Sequence, residues 1–116
     1  MPLPTTMNCI EIARPGGPEV LTPARRPLPV PGAGEVLIRV IAAGVNRPDV
    51  IQRQGGYPPP AGASELPGLE VAGEIAALGR DCGRWRIGDQ VCALLAGGGY
   101  AEYAVAHRDL CLPIPA

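Results

Sequence analysis

Glycine and proline cut this chain into short pieces. They number 16 and 15 among 116 residues, and only short apolar runs separate them. Proline cannot continue a helix interior or a central strand, and glycine marks positions that need unusual backbone angles. Many turns with short apolar runs between them imply a mainly β structure. This much glycine and proline can also signal low complexity, but 47% of the residues are hydrophobic. Burial on that scale offsets the entropy of ordering, so the composition points to a loop-rich globular domain. The length suits one domain with a single modest core.

The formal net charge is −1 and the charges are scattered. Arg25-Arg26 and the Arg84/Arg86 pair are too small to form a phosphate-binding stripe, which argues against a nucleic-acid partner. No segment approaches the roughly 20 apolar residues of a membrane span. The opening "MPLPTTMNC" has neither the charged nor the apolar region of a signal peptide. Cys9, Cys82, Cys92 and Cys111 contain no Cys-x-x-Cys pair. They could form two disulfides, but without a secretory signal they are read as reduced, mostly buried thiols in a cytoplasmic protein.

Residues 1–6 are expected to be a flexible extension and 7–116 the folded domain. Residues 7–13 read as a first strand, closed by the turn "RPGGPE". Residues 20–29 read as a second, confined by its prolines to an edge or an extended loop. Residues 35–45 form the clearest strand, apolar on both faces except at Arg39 and so expected to be covered on both sides. A short helix follows. Asn46 is a suitable N-cap, Pro48 suits the first turn and Asp49 complements the dipole. Val50 and Ile51 are expected to form the buried side, and Gly55-Gly56 to end the helix. Residues 57–68, "YPPPAGASELPG", are expected to form an ordered loop or a mobile flap. Residues 69–78 read as a strand, with Gly73 marking a close approach or a bulge. A turn-rich excursion, a strand over 90–96, a hairpin turn at "GGG" and a strand over 100–106 come next. A short helical turn and an extended exit close the chain. Six or seven short strands with one or two short helices describe a small, partly open β-barrel.

Asn46, Asp49, Tyr57 and Glu70 fall on turns and element ends, where a fold can hold polar side chains against a ligand. Each also has a purely structural reading: Asn46 as cap, Asp49 as first-turn acid, Tyr57 as packing for its proline-rich loop. The lone His107 reads as a surface or turn residue. Gly97-Gly98-Gly99 lacks the following helix that a phosphate-binding loop needs.

The segments "PGGPEVL", "GEVLIRVIAAGVNRPDVIQRQGGYPPP", "LPGLEVAGEIAALG", "RIGDQVCALLAGGGYAEYAVA" and "LPIP" together resemble the N-terminal GroES-like catalytic domain of the medium-chain dehydrogenase/reductases. Within that superfamily the chain is similar to the zinc-free quinone oxidoreductases, from about Met7 to Ala116. The resemblance implies a GroES-like barrel. It also implies a parent enzyme that moves a hydride equivalent from NADPH to a quinone or similar conjugated carbonyl. Zinc-dependent relatives carry a cysteine ligand where this chain has Asn46, and a histidine where it has Leu69. An amide and a leucine cannot supply the thiolate and imidazole of a catalytic zinc site, so no metal is expected.

By the same resemblance, Asn46, Asp49 and Tyr57 border the nicotinamide and substrate cleft. Tyr57 is expected to donate to the reduced carbonyl oxygen. Asn46 would orient the nicotinamide carboxamide or the substrate, Asp49 would position its neighbours or a water, and Gln52 and Arg53 would line the approach. Glu70 is expected in a buried hydrogen-bonding role at a strand start. Family members carry a nucleotide-binding Rossmann domain beyond the position where this chain stops, and no G-x-G-x-x-G fingerprint occurs here. The chain is therefore expected to be one half of an enzyme, inactive and unable to hold NADPH by itself. The parent is expected to be a homodimer whose contacts lie largely in the other half. Two rival readings are a zinc-free enoyl or enone reductase of the same superfamily and a non-enzymatic GroES-like binding module that forms a ring.

Overall fold

A computed structural model describes residues 2–115 of the protein. Strand β1 (Thr6–Ile12) and strand β2 (Leu21–Pro27) make an antiparallel hairpin, from Thr6 opposite Pro27 to Ile12 opposite Leu21. Its connection includes a 3-10 turn, Pro18–Val20, with Val20 buried. Pro23 and Pro27 are tolerated because β2 pairs on one side only, as expected of an edge. Thr5 and Thr6, expected in a flexible extension, are instead held to β2, since Leu28 N donates to the Thr5 carbonyl at 3.0 Å.

The second sheet contains β3 (Glu35–Ala43), β4 (Glu70–Leu78), β5 (Gln90–Leu94), β6 (Tyr103–His107) and β7 (Cys111–Pro113). Its order is β6-β3-β4-β5-β7, every pair antiparallel. The curled sheet forms a half-barrel around Val36, Ile38, Val71, Ile75, Val91 and Trp85. Each aliphatic side chain fully buried there contributes about 1.5–3 kcal/mol. The described residues form a mainly β, GroES-like fold with one α-helix.

The expectation that the third strand is covered on both faces holds only for its first half. Val36, Leu37 and Ile38 are buried in succession, whereas Ile41 is 66% exposed and Ala42 and Ala43 are open. A register shift between Val40 and Ala42 breaks the alternation and turns Ile41 outward. Across from it, Gly73 marks the expected close approach: a Cβ there would collide with the Arg39 carbonyl oxygen.

The glycine run is not a hairpin turn. Strands β5 and β6 do not pair, because β4 and β3 lie between them. The run crosses the sheet and docks on the loop before β4. Gly98 N donates to Leu66 O at 2.9 Å, Gly99 N to Gly68 O at 3.0 Å and Tyr100 N to Pro67 O at 3.0 Å. The approach is so close that a Cβ on Gly68, at φ +106°, would lie 2.6 Å from Tyr100 N. The strand expected over 100–106 consequently starts only at Tyr103. Residues 100–102 instead bridge the two sheets: Ile10 N donates to Tyr100 O at 2.8 Å, Glu102 N to Asn8 O at 3.0 Å and Val40 N to Glu102 O at 2.8 Å.

A 3-10 turn, Arg108–Leu110, leads into β7, matching the expected helical turn and extended exit. His107, the exposed last residue of β6, lies at the surface as expected and caps this turn, its Nδ1 accepting from Asp109 N at 3.1 Å. All four cysteines are free, with Cys9, Cys82 and Cys111 buried and Cys92 half-buried. Burial, with the neighbouring Cys92 and Cys82 adding to it, pushes the Cys111 thiol up to about 11, which makes it a poor nucleophile. Among the described residues no helix is long and apolar enough to cross a membrane.

Candidate functional site

Helix α1 (Arg47–Arg53) follows β3 directly and is the only α-helix among the described residues. Asn46 is its N-cap in extended conformation, φ −128° and ψ 159°, and Pro48 lies in the first turn. The Asn46 backbone N–H donates to Asp49 Oδ2 at 3.0 Å, and Asp49 N donates back to the Asn46 carbonyl at 3.0 Å. Beyond Arg53 the chain turns at Gly55, φ +91°, as expected of the glycine pair.

The buried face of α1 differs from expectation. Asp49 is the buried residue, 5% exposed, while Val50 and Ile51 are only half-buried. A carboxylate can be buried there because a tertiary donor reaches it: Tyr100 Oη donates to Asp49 Oδ2 at 2.8 Å. Burial first, and then the hydrogen bond to Asp49 and its charge, push the Tyr100 phenol up to about 12. Tyr100 therefore remains a neutral donor throughout the physiological range. The other carboxylate oxygen, Oδ1, is buried and has no hydrogen-bond partner in the protein. Asp49 also lines a small cavity of about 70 Å³, together with Leu21, Val45, Val50, Arg53, Pro67 and Tyr100.

The Asn46 amide makes a separate contact. Its Nδ2 donates to Glu70 Oε1 at 3.1 Å, just beyond the paired ends of β3 and β4. Glu70 was expected to be buried. It makes the expected hydrogen bond at the start of β4 but is exposed. Its side chain folds over Gly44, where a Cβ would occupy the same space, and Gly44 N donates to the Glu70 carbonyl at 3.1 Å.

Gln52 and Arg53 tie the helix to its neighbours. Gln52 Nε2 donates to Glu65 O at 3.1 Å, and Arg53 Nε to Gly16 O at 3.0 Å, with Gly16 N returning a bond to Arg53 O. Tyr57 lies at the head of the proline-rich loop, 37% exposed and outside the Asn46–Asp49–Glu70 cluster. The structure thus brings three of the four element-end residues together and leaves the fourth on the adjoining loop.

An open apolar trough of about 570 Å³ is walled by Ile10, Val40, Ile41 and Val45 and by Tyr100, the residue bonded to Asp49; none of Asn46, Asp49, Tyr57 and Glu70 lines it. Val45, immediately before Asn46, is 79% exposed. A deeper groove of about 350 Å³ between Met7, Arg26, Ser64, Leu66 and His107 includes none of the candidate site residues. Among the described residues no three His, Cys, Asp or Glu side chains gather closely enough to hold a metal ion.

Tyr100 follows a glycine run and, by sequence, is indistinguishable from an ordinary strand residue. A buried Asp49 demands a donor, but its burial is not legible without the fold.

Residues 32–116 match the sequence profile of the alcohol dehydrogenase GroES-like domain. The chain belongs to this family. The GroES-like domain is 39% identical over 111 residues to a quinone oxidoreductase of Mus musculus, covering 94% of this chain and 34% of that protein. It is 33% identical over 116 residues to prostaglandin reductase-3 of Bos taurus, covering 97% of this chain and 31% of that protein. Among solved structures it superposes on a mycobacterial protein complexed with NADPH, with a TM-score of 0.81 and 38% identity, covering 94% of this chain and 32% of that one. These matches make it an N-terminal domain of the medium-chain dehydrogenase/reductase, quinone oxidoreductase-like type. It spans about a third of the length of the curated relatives it matches.

Proposed function

We propose that this GroES-like domain is the substrate- and nicotinamide-facing part of an NADPH-dependent quinone oxidoreductase that works without zinc. The observation that carries the reading is the Asn46 amide, held by Glu70 just beyond the paired ends of β3 and β4 and next in sequence to Val45 on the wall of an open apolar trough. NADPH, when bound, supplies the hydride. A nicotinamide carboxamide needs an acceptor for its NH₂ and a donor for its oxygen. Half-exposed Asn46 presents such an amide, its Nδ2 engaged by Glu70 and its backbone fixed by Asp49. Asp49, 5% exposed, acts by holding the Asn46 backbone. The apolar walls at Ile41 and Val45 suit a planar conjugated ring.

Tyr57 is the proposed donor to the carbonyl oxygen where negative charge develops. Gln52 and Arg53 shape the approach by fixing α1 against the loop and the hairpin. Zinc is unnecessary in this scheme: Asn46 and Leu69 stand where the zinc-dependent relatives have ligands, and neither is one. The parent is proposed to act as a cytoplasmic homodimer, a compartment in keeping with four free cysteines.

A second reading, an enone or enoyl-thioester reductase, is favoured by the likeness to prostaglandin reductase-3. The test uses the polypeptide that carries this domain together with a nucleotide-binding domain, assayed for NADPH consumption with a quinone and with a conjugated enone. The proposal expects faster turnover of the quinone, no loss in a metal chelator, and a fall in kcat of about 100-fold in Tyr57→Phe. Preference for the enone supports the second reading, and inactivation by the chelator refutes the metal-free scheme. The 116-residue chain alone is expected to show no micromolar NADPH binding in calorimetry.

A further inference from the structure

A helix of seven residues cannot hold itself in water. The position of α1 must come from tertiary contacts at its two ends. At the C-terminal end, Arg53 and Gly16 exchange two hydrogen bonds. At the N-terminal end, a side chain 51 residues away in sequence reaches Asp49. We infer that Tyr100 is a positioning residue, setting the Asn46 carboxamide through Asp49. This rests on the proposed role of Asn46 toward the nicotinamide or carbonyl.

The geometry supports it in three steps. Tyr100 is itself a firm anchor: its N–H donates to Pro67 O at 3.0 Å and its carbonyl accepts from Ile10 N at 2.8 Å. It stands where Gly68 and Gly99 meet with no room for a Cβ. From there its hydroxyl donates to Asp49 Oδ2, and that same oxygen accepts the Asn46 backbone N–H. With the Asn46 backbone held on one side and its Nδ2 drawn to Glu70 on the other, the carboxamide is constrained at both ends. Removing the hydroxyl leaves the Asp49 carboxylate with one donor, the Asn46 backbone N–H, and lets it swing, and the cap moves with it. Tyr100 also lines the trough, so the anchor of α1 and the trough wall share one residue.

The test is amide hydrogen exchange and side-chain amide NMR on the 116-residue chain. Tyr100→Phe keeps the ring and removes only the donor. The Asn46 backbone amide is expected to exchange about tenfold faster, as loss of support from a charged acceptor implies. Its side-chain NH₂ resonances are expected to move, while amides in β3 and β4 stay as they were. Tyr103→Phe, which touches no member of this chain of bonds, is the control and is expected to leave Asn46 unchanged. Asp49→Asn, retaining Tyr100, serves as a second variant and is expected to shift the same Asn46 signals. If Asn46 responds to Tyr100→Phe no more than to Tyr103→Phe, or if Asp49→Asn leaves it in place, the inference is wrong. These signals report where Asn46 sits and not what it binds, so the turnover assay given above can fail or succeed separately.

Discussion

Replacing Asp49 by alanine tests the central structural claim, that a buried carboxylate joins α1 to the glycine crossover. Two donors converge on Oδ2, the Asn46 N–H at 3.0 Å and the Tyr100 hydroxyl at 2.8 Å. Losing the cap costs about 1 kcal/mol. Leaving the partly buried Tyr100 hydroxyl without its acceptor costs a further ~1–2 kcal/mol. Relief of a buried charge with one unpartnered oxygen offsets about 1 kcal/mol. The net loss is about 1.5 kcal/mol, which for a domain of this size lowers Tm by roughly 6 °C. Urea unfolding of the single variants and of Asp49→Ala/Tyr100→Phe makes a double-mutant cycle. Once the carboxylate is gone, removing the hydroxyl should cost almost nothing, giving a coupling of about 1.5 kcal/mol. Additivity within about 0.5 kcal/mol would refute the reasoning, because it would mean that the pair contributes no mutual stabilisation.

Two further outcomes follow from the same site. The raised Tyr100 phenol favours the protonated form in the fold, so its contribution is fully present below the ordinary value of 10 and is lost as pH rises toward about 12. After allowance for solvent screening, about 1 kcal/mol of alkaline destabilisation should be absent from Tyr100→Phe; equal slopes for the two proteins in urea melts across that window would contradict it. Gly44→Ala places a methyl where the Glu70 carboxylate lies. The flexible acid can move away, so stability should fall by less than about 1 kcal/mol, while the Asn46 side-chain NH₂ resonances shift as their acceptor is displaced. An unmoved Asn46 signal would show that Glu70 does not orient it.

Local pattern alone identified the β class, the edge strand with its prolines, the strand from Glu35, the cap at Asn46 and the close approach at Gly73. All of these depend on residue type and on spacing within one element, where backbone sterics and alternation act over a few positions. The resemblance added a family, which the profile match over residues 32–116 bears out. It also singled out Asn46 and Asp49, which the fold brings together with Glu70.

Errors arose wherever a partner distant in sequence set the outcome. The "GGG" run looks like a hairpin turn because its glycines permit one, but the pairing of β3 and β4 between β5 and β6 makes it a crossover. Val50 and Ile51 look like the inner face of α1 by hydropathy. Asp49 is buried instead because Tyr100 offers a donor that no local window contains. The amino-acid order thus determined the elements, their glycine and proline constraints and the polar residues at their ends. Only the tertiary structure decided which of those residues meet, because a hydrogen bond between groups 51 positions apart exists only after the sheet has brought them within reach.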